Sequence, residues 1–183
     1  MAAFYRVEVR ILFVCTGNTC RSPMAEAITR AAAETAGLPI EVSSAGLHAE
    51  SVIAPPAVAV LESRGISPGQ RVAVQVTAAL ARENDLTLCA TRAHRDALRG
   101  QLDDEPDVAS RVHVWAEFVE HCATLPEDRD LTEVLSMAPP PTSSEAVDLP
   151  DPAGRGDAAY VATAARMDVL AAALLDALVP RLR

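Results

Sequence analysis

Aromatic side chains are scarce: three Phe, two Tyr and one Trp make up 3% of the 183 residues. A flat aromatic ligand would find little ring surface to stack on. Positive charge is also in deficit, since 16 Lys+Arg face 25 Asp+Glu, a net charge of −9. That balance excludes nucleic acid and an anionic membrane as main partners. Met1-Ala2-Ala3-Phe4-Tyr5-Arg6 lacks the unbroken apolar stretch of an export signal, and Glu8 and Arg10 place charges in the next four residues. No apolar run approaches the length of a membrane span. The four cysteines (Cys15, Cys20, Cys89, Cys122) show no paired C-x-x-C spacing, so no zinc site and no metal is expected. With no export signal they read as reduced thiols of a cytoplasmic protein. There is no internal repeat.

What is present suffices for one core. Half of the residues are hydrophobic, and at this length one domain over residues 1–183 is the expectation. Val9, Ile11, Leu12, Phe13 and Val14 read as a buried strand, and Pro23 to Ile28 opens a helix with Ser22 near its N-cap. Ile40 to Ser43, Asp85 to Cys89 and Arg111 to Trp115 read as further strands. Pro55 to Leu61 and Thr91 to Leu98 read as helices. Asp157 to Leu178 carries Tyr160, Ala164, Met167, Ala171, Leu174 and Leu178 at helical spacing, an amphipathic helix that packs on the sheet. Strands alternating with helices predict an α/β fold: a three-layer sandwich with a four-stranded parallel sheet flanked by helices. The stretch of about 122–147 is acidic and proline-rich, with little periodicity, and reads as a long, partly mobile surface loop.

One string carries chemistry: Cys15-Thr16-Gly17-Asn18-Thr19-Cys20-Arg21-Ser22-Pro23. It lies between the first strand and first helix, where free backbone N–H groups meet the positive end of the helix dipole. Those amides, Arg21 and the Ser22 hydroxyl all favour a thiolate on Cys15, a nucleophile at neutral pH. Gly17 permits backbone conformations other residues resist, and Asn18 tolerates a left-handed one while its amide pins the loop. Arg21 offers a planar fork for two oxygens of a tetrahedral anion. A nucleophile below, amides around and arginine at the rim suit in-line attack on phosphorus, with no metal or other cofactor needed.

Cys15 to Pro23 resembles the signature of the low-molecular-weight protein tyrosine phosphatases, a branch of which comprises the bacterial protein arginine phosphatases. Ser44-Ala45-Gly46 matches the family's second element, and the resemblance implies that Ser44 hydrogen-bonds the phosphate loop. It further implies that Asp151, in Asp151-Pro152, is the general acid, with Gly154 and Tyr160 in register; Asp148 is the nearest competitor. The implied activity is hydrolysis of phosphorylated protein residues, or of a small phosphoester, through phosphocysteine. Cys20 keeps two readings: a reversible disulfide partner of Cys15, as in this family, or a buried small side chain under the loop.

Two positions bear on substrate. Eukaryotic members carry an aliphatic residue where Thr19 stands, whereas the arginine phosphatases carry threonine; alternatively Thr19 merely fits the turn. The residue two after the acid, usually aromatic, is Ala153, and Leu47 to Ser51 offers no ring beyond His48. Phosphotyrosine and phosphoarginine both remain open as substrates. An arsenate reductase would use Cys89 as its first relay thiol but meets Asp96 where the second cysteine belongs. A phosphate-binding or phosphocarrier module would not need both Arg21 and Asp151.

Overall fold

Val9 to Cys15 is apolar at almost every position because it is covered on both faces. In the computed structural model it forms β1 (Val9–Cys15), an interior strand. Ile11, Phe13 and Cys15 point into one helical layer and Leu12 and Val14 into the other, the alternation of a pleated strand. The structure describes residues 8–68 and 72–182; the absence of a leader, read from Met1 to Arg6, lies outside them.

β1 pairs in parallel with β2 (Ile40–Gly46) on one side and β3 (Leu86–Cys89) on the other, and β3 pairs with β4 (Val112–Val114). The order β2-β1-β3-β4 is that of a four-stranded parallel sheet, as the alternating pattern predicts. β2 runs three residues beyond the expected Ser43, and Trp115 begins a helix instead of ending β4. The chain leaves β1 for β2 on one side and later enters β3 on the other. The crevice at the carboxyl ends of β1 and β3 is therefore the switch point, where ligands bind in such sheets.

One layer holds α1 (Arg21–Ala36), α2 (Pro55–Glu62), α6 (Trp115–Cys122), α7 (Leu131–Ser136) and α8 (Asp157–Leu178). The other holds α3 (Ala78–Arg82), α4 (Arg92–Gly100) and α5 (Pro106–Ala109). α8 buries Tyr160, Ala164, Met167, Leu170, Ala171, Leu174, Leu175 and Leu178. Asp157–Arg181 is, with a mean hydropathy of 1.5 over its best window, long and apolar enough to cross a membrane, which corrects the expectation that no run approaches that length. Packing against α1, α2 and α6 accounts for that apolar content.

The expected loop of about 122–147 also needs correction, because α7 lies inside it. The Asp130 carboxylate accepts hydrogen bonds from the amides of Thr132 and Glu133 at the helix start, and Val134 and Leu135 are buried. Leu135 in turn meets β4: His113, fully buried, donates from Nε2 to the Leu135 carbonyl at 2.8 Å and stacks on Phe118. Its Nδ1 is buried without a partner among the described residues, so the ring is held neutral. Burial pushes the His113 pKa down from 6.5 to about 4.

This depression has a sign for stability. Between pH 6.5 and about 4 the unfolded chain takes up a proton that folded His113 refuses, so stability falls as pH falls through that window. His113 costs about 1.4 kcal/mol per pH unit there. Denaturant midpoints at pH 7, 6 and 5 should fall in that order, and His113→Gln should make the trend shallower, with His94, depressed to about 4 as well, carrying the remainder. A midpoint unchanged from pH 7 to 5 would contradict the neutral buried ring.

Candidate active site

Cys15 ends β1, and residues 16–20 form a loop that returns to α1 at Arg21. The loop is held from outside. The amides of Leu47, His48, Glu50 and Ala54 donate to the carbonyls of Cys15, Thr16, Gly17 and Thr19 at 2.8–3.0 Å. None of the loop's own amides from 16 to 20 donates to a backbone carbonyl among the described residues, which leaves them as candidate donors to an anion. Gly46 is where the loop lies on β2: a Cβ there would sit 2.6 Å from the Thr16 carbonyl oxygen and 2.8 Å from the Asn18 amide nitrogen. Any side chain at Gly46 would displace the cradle.

Asn18 holds the centre. It adopts φ 54°, the left-handed region that asparagine tolerates better than most residues. Its Nδ2 donates to Ser22 Oγ at 2.9 Å and to Ser44 Oγ at 2.8 Å, and its Oδ1 accepts from the Val74 amide at 2.9 Å. Ser44 thus reaches the loop through the Asn18 side chain.

Ser22 lies near the α1 N-cap, as the sequence pattern predicts. Cys20 occupies the N-cap position, and Ser22 lies in the first turn of α1 with its hydroxyl 3.0 Å from Cys15 Sγ. That hydroxyl accepts from Asn18 and donates its one proton to the Ala45 carbonyl oxygen, 3.1 Å from Oγ. When Cys15 loses its proton, the same hydroxyl can turn to the sulfur and donate.

Arg21 closes the mouth and is buried. Its Nη1 donates to the Leu149 carbonyl at 3.5 Å; its Nη2 donates to Thr16 Oγ1 at 3.2 Å and to Asp151 Oδ2 at 2.6 Å. Its Nε–H is buried with no partner among the described residues, a donor left over for an incoming oxyanion. Asp151 Oδ1 accepts from the Ala153 amide at 3.1 Å, which fixes the carboxylate above its own turn. The structure therefore brings together Cys15, Arg21 and Asp151 with the whole 16–22 loop and Ser44.

Asp148 is excluded as the acid. Its two oxygens take the Arg92 amide at 2.7 Å and the Arg92 guanidinium at 2.9 and 3.1 Å. Burial pushes its pKa up, but the Arg92 hydrogen bonds and charge outweigh this and hold it below the usual value.

Cys20 Sγ lies 3.3 Å from Tyr160 Oη, which ties α8 to the loop. Burial, with the Cys20 contact, pushes the Tyr160 phenol up to about 12. Cys89 is fully buried in the opposite helical layer from Cys15, and burial pushes its thiol strongly up. A buried, protonated thiol there is a poor relay for Cys15, and Asp96 is bound by Arg95.

His94 carries no signal in the sequence. Its Nε2 lies 2.9 Å from Thr16 Oγ1 and its Nδ1 lies 2.7 Å from Oγ1 of Thr91, the α4 N-cap. Burial, then the Arg21 charge, lowers its pKa to about 4, so it stands as a neutral ring behind the loop.

Residues 10–135 match the model of the low molecular weight phosphotyrosine protein phosphatases. The chain belongs to this family. It is a hydrolase of phosphomonoesters. It is 42% identical over 111 residues to a protein-arginine-phosphatase of Bacillus subtilis, covering 60% of this chain and 71% of that one. Against a low molecular weight protein-tyrosine-phosphatase of Streptomyces coelicolor it is 40% identical over 105 residues, 55% of this chain and 63% of the relative. The fold superposes on a solved YwlE arginine phosphatase, a cysteine-to-serine variant with a phosphorylated active-site serine. The TM-score is 0.74 at 29% identity, over 92% of this chain and 95% of that one. Asp151 lies beyond the residues that the family model matches.

Proposed function

We propose that this phosphatase acts on phosphorylated protein residues through a phosphocysteine formed on Cys15. The observation that carries the reading is Arg21: its Nη2 holds Asp151 while its Nε–H stays unpartnered, beside the Cys15–Ser22 pair. The dianionic phosphoryl group binds the loop amides and the Arg21 Nε–H. Cys15 Sγ attacks phosphorus; the S–P bond forms as the ester bond breaks, and protonated Asp151 supplies the leaving atom's proton. A water then attacks the phosphocysteine, Asp151 accepts its proton, and inorganic phosphate leaves with Cys15 restored as thiolate.

Asp151→Asn tests the second half of this account. Phenyl phosphate, whose leaving group needs the proton, should lose about 100-fold in kcat/KM, which reports only the transfer to Cys15, while p-nitrophenyl phosphate should lose less than about tenfold. Equal losses on both would remove Asp151 as the acid.

For the leaving group, one reading beside phosphotyrosine draws on particular residues. Ala153, on the acid loop, is exposed and has no ring to wall a phenyl group. The Glu50 side chain lies over Gly17, within 2.9 Å of where a Gly17 Cβ would stand. A carboxylate at that rim favours a cationic leaving group such as the guanidinium of phosphoarginine. Thr19 and the relative named as an arginine phosphatase point the same way. Rates on matched phosphotyrosine and phosphoarginine peptides decide between them. Under the second reading, Thr19→Ile and Glu50→Gln should each cut the phosphoarginine-to-phosphotyrosine ratio by about threefold or more. An unchanged ratio in both variants would return the leaving group to phosphotyrosine.

A further inference from the structure

The general acid and the nucleophile come from parts of the chain 136 positions apart, at residues 15 and 151, and something must hold their loops in register. The segment between β3 and α4 touches both. The Ala90 amide donates to the Val14 carbonyl at the end of β1, and the Ala90 carbonyl accepts from the Leu149 amide on the acid loop at 2.8 Å. One turn on, the side chains divide in the same way. His94 reaches Thr16 on the phosphate loop. Arg92 places its amide and two guanidinium nitrogens on Asp148, with Nη1 3.4 Å from the Thr142 carbonyl oxygen.

These contacts complete a ring. It runs from Asp151 to Arg21, from Arg21 to Thr16, from Thr16 to His94, through the first turn of α4 to Arg92, and from Arg92 to Asp148. Only Leu149 and Pro150 separate Asp148 from Asp151; Leu149 is buried and Pro150 has little backbone freedom. We propose that the first turn of α4 is a strut that sets the acid loop against the phosphate loop, with Arg92 gripping Asp148 and His94 gripping Thr16.

Neither residue touches reacting atoms, so both are positioning residues, and the two grips differ in consequence. Arg92 acts on the acid alone. Its loss lets Asp151 drift from the leaving atom while the phosphate cradle stays intact. His94 acts on the cradle. Its loss releases Thr16 and, through it, one of the two side-chain partners of Arg21 Nη2.

The strut rests on Asp151 being the acid, and the experiment separates the two claims. Steady-state kcat and KM are measured on phenyl phosphate and p-nitrophenyl phosphate for the full chain, with Asp151→Asn as reference and thermal melts as a folding check. Arg92→Ala should lower kcat/KM about tenfold on phenyl phosphate and less than about threefold on p-nitrophenyl phosphate. Asp148→Ala should give the same split, and the double variant should be no worse than the worse single one. His94→Ala should lower both substrates alike, by about tenfold, and His94→Gln, which keeps a donor toward Thr16, should recover at least half of that loss. Should Arg92→Ala not fold, Arg92→Gln takes its place. If Asp151→Asn shows the leaving-group split and the Arg92 variant shows none, the strut is refuted and the acid stands. If Asp151→Asn shows no split, the acid assignment falls and the acid arm of the strut falls with it.

Discussion

Replacing Cys15 by serine should abolish turnover of p-nitrophenyl phosphate, by at least about 10⁴-fold. A thiol ionises readily and its conjugate base is a strong nucleophile, whereas a serine hydroxyl needs a general base to remove its proton. Among the described residues the surroundings of Cys15 provide none. The hydroxyl of Ser22, 3.0 Å away, is a donor to a thiolate. Arg21 is a cation. His94 is neutral, but its ring nitrogens are turned to Thr16 and Thr91. The variant should still bind inorganic phosphate with Kd within about threefold of the parent, because the Asn18 network and the Gly46 contact do not involve the sulfur. Residual turnover above about 1% of the parent would show that another group attacks phosphorus.

The phosphate loop is legible in the sequence because its chemistry is local. A buried strand, a turn and a helix start lie within fifteen residues, and each residue type has a physical reason to be there. Asn18 at φ 54° meets the expectation of a left-handed loop residue. Ser22 likewise sits beside the helix start with its hydroxyl 3.0 Å from Cys15, where the sequence puts a donor for the thiolate. Asp151 is reached only through resemblance, because Asp-Pro is an ordinary turn and its partner Arg21 lies 130 positions away.

His94 and Arg92 carry no readable signal for the same reason. Their partners Thr16 and Asp148 are 78 and 56 positions distant, and a Thr-Arg-Ala-His stretch has many uses. The helix at 131–136 escapes a periodicity reading because six residues are too few for a period to show. Val134 and Leu135 reveal themselves only once the rest of the core is there to cover them. The 22 residues of α8, by contrast, repeat the pattern often enough to be read in full.

Arg21→Lys should cost about 10³-fold in kcat/KM, the next largest effect after loss of the nucleophile. Lysine keeps the charge, so a mere electrostatic role would survive the change. The geometry asks for more than charge. Nη1 is committed to Leu149 and Nη2 to Thr16 and Asp151, while Nε remains for the phosphoryl oxygens. Three nitrogens in one plane meet these demands together; a single ammonium on a flexible stem cannot. Because the missing donor serves the phosphoryl group itself, the loss should be similar on phenyl phosphate and p-nitrophenyl phosphate, unlike that of Asp151→Asn. Inhibition by inorganic phosphate should weaken in parallel. A lysine variant that keeps more than a tenth of the parent kcat/KM would reduce Arg21 to a point charge, and the ring from Asp151 through Arg21 to Thr16 would lose its catalytic meaning.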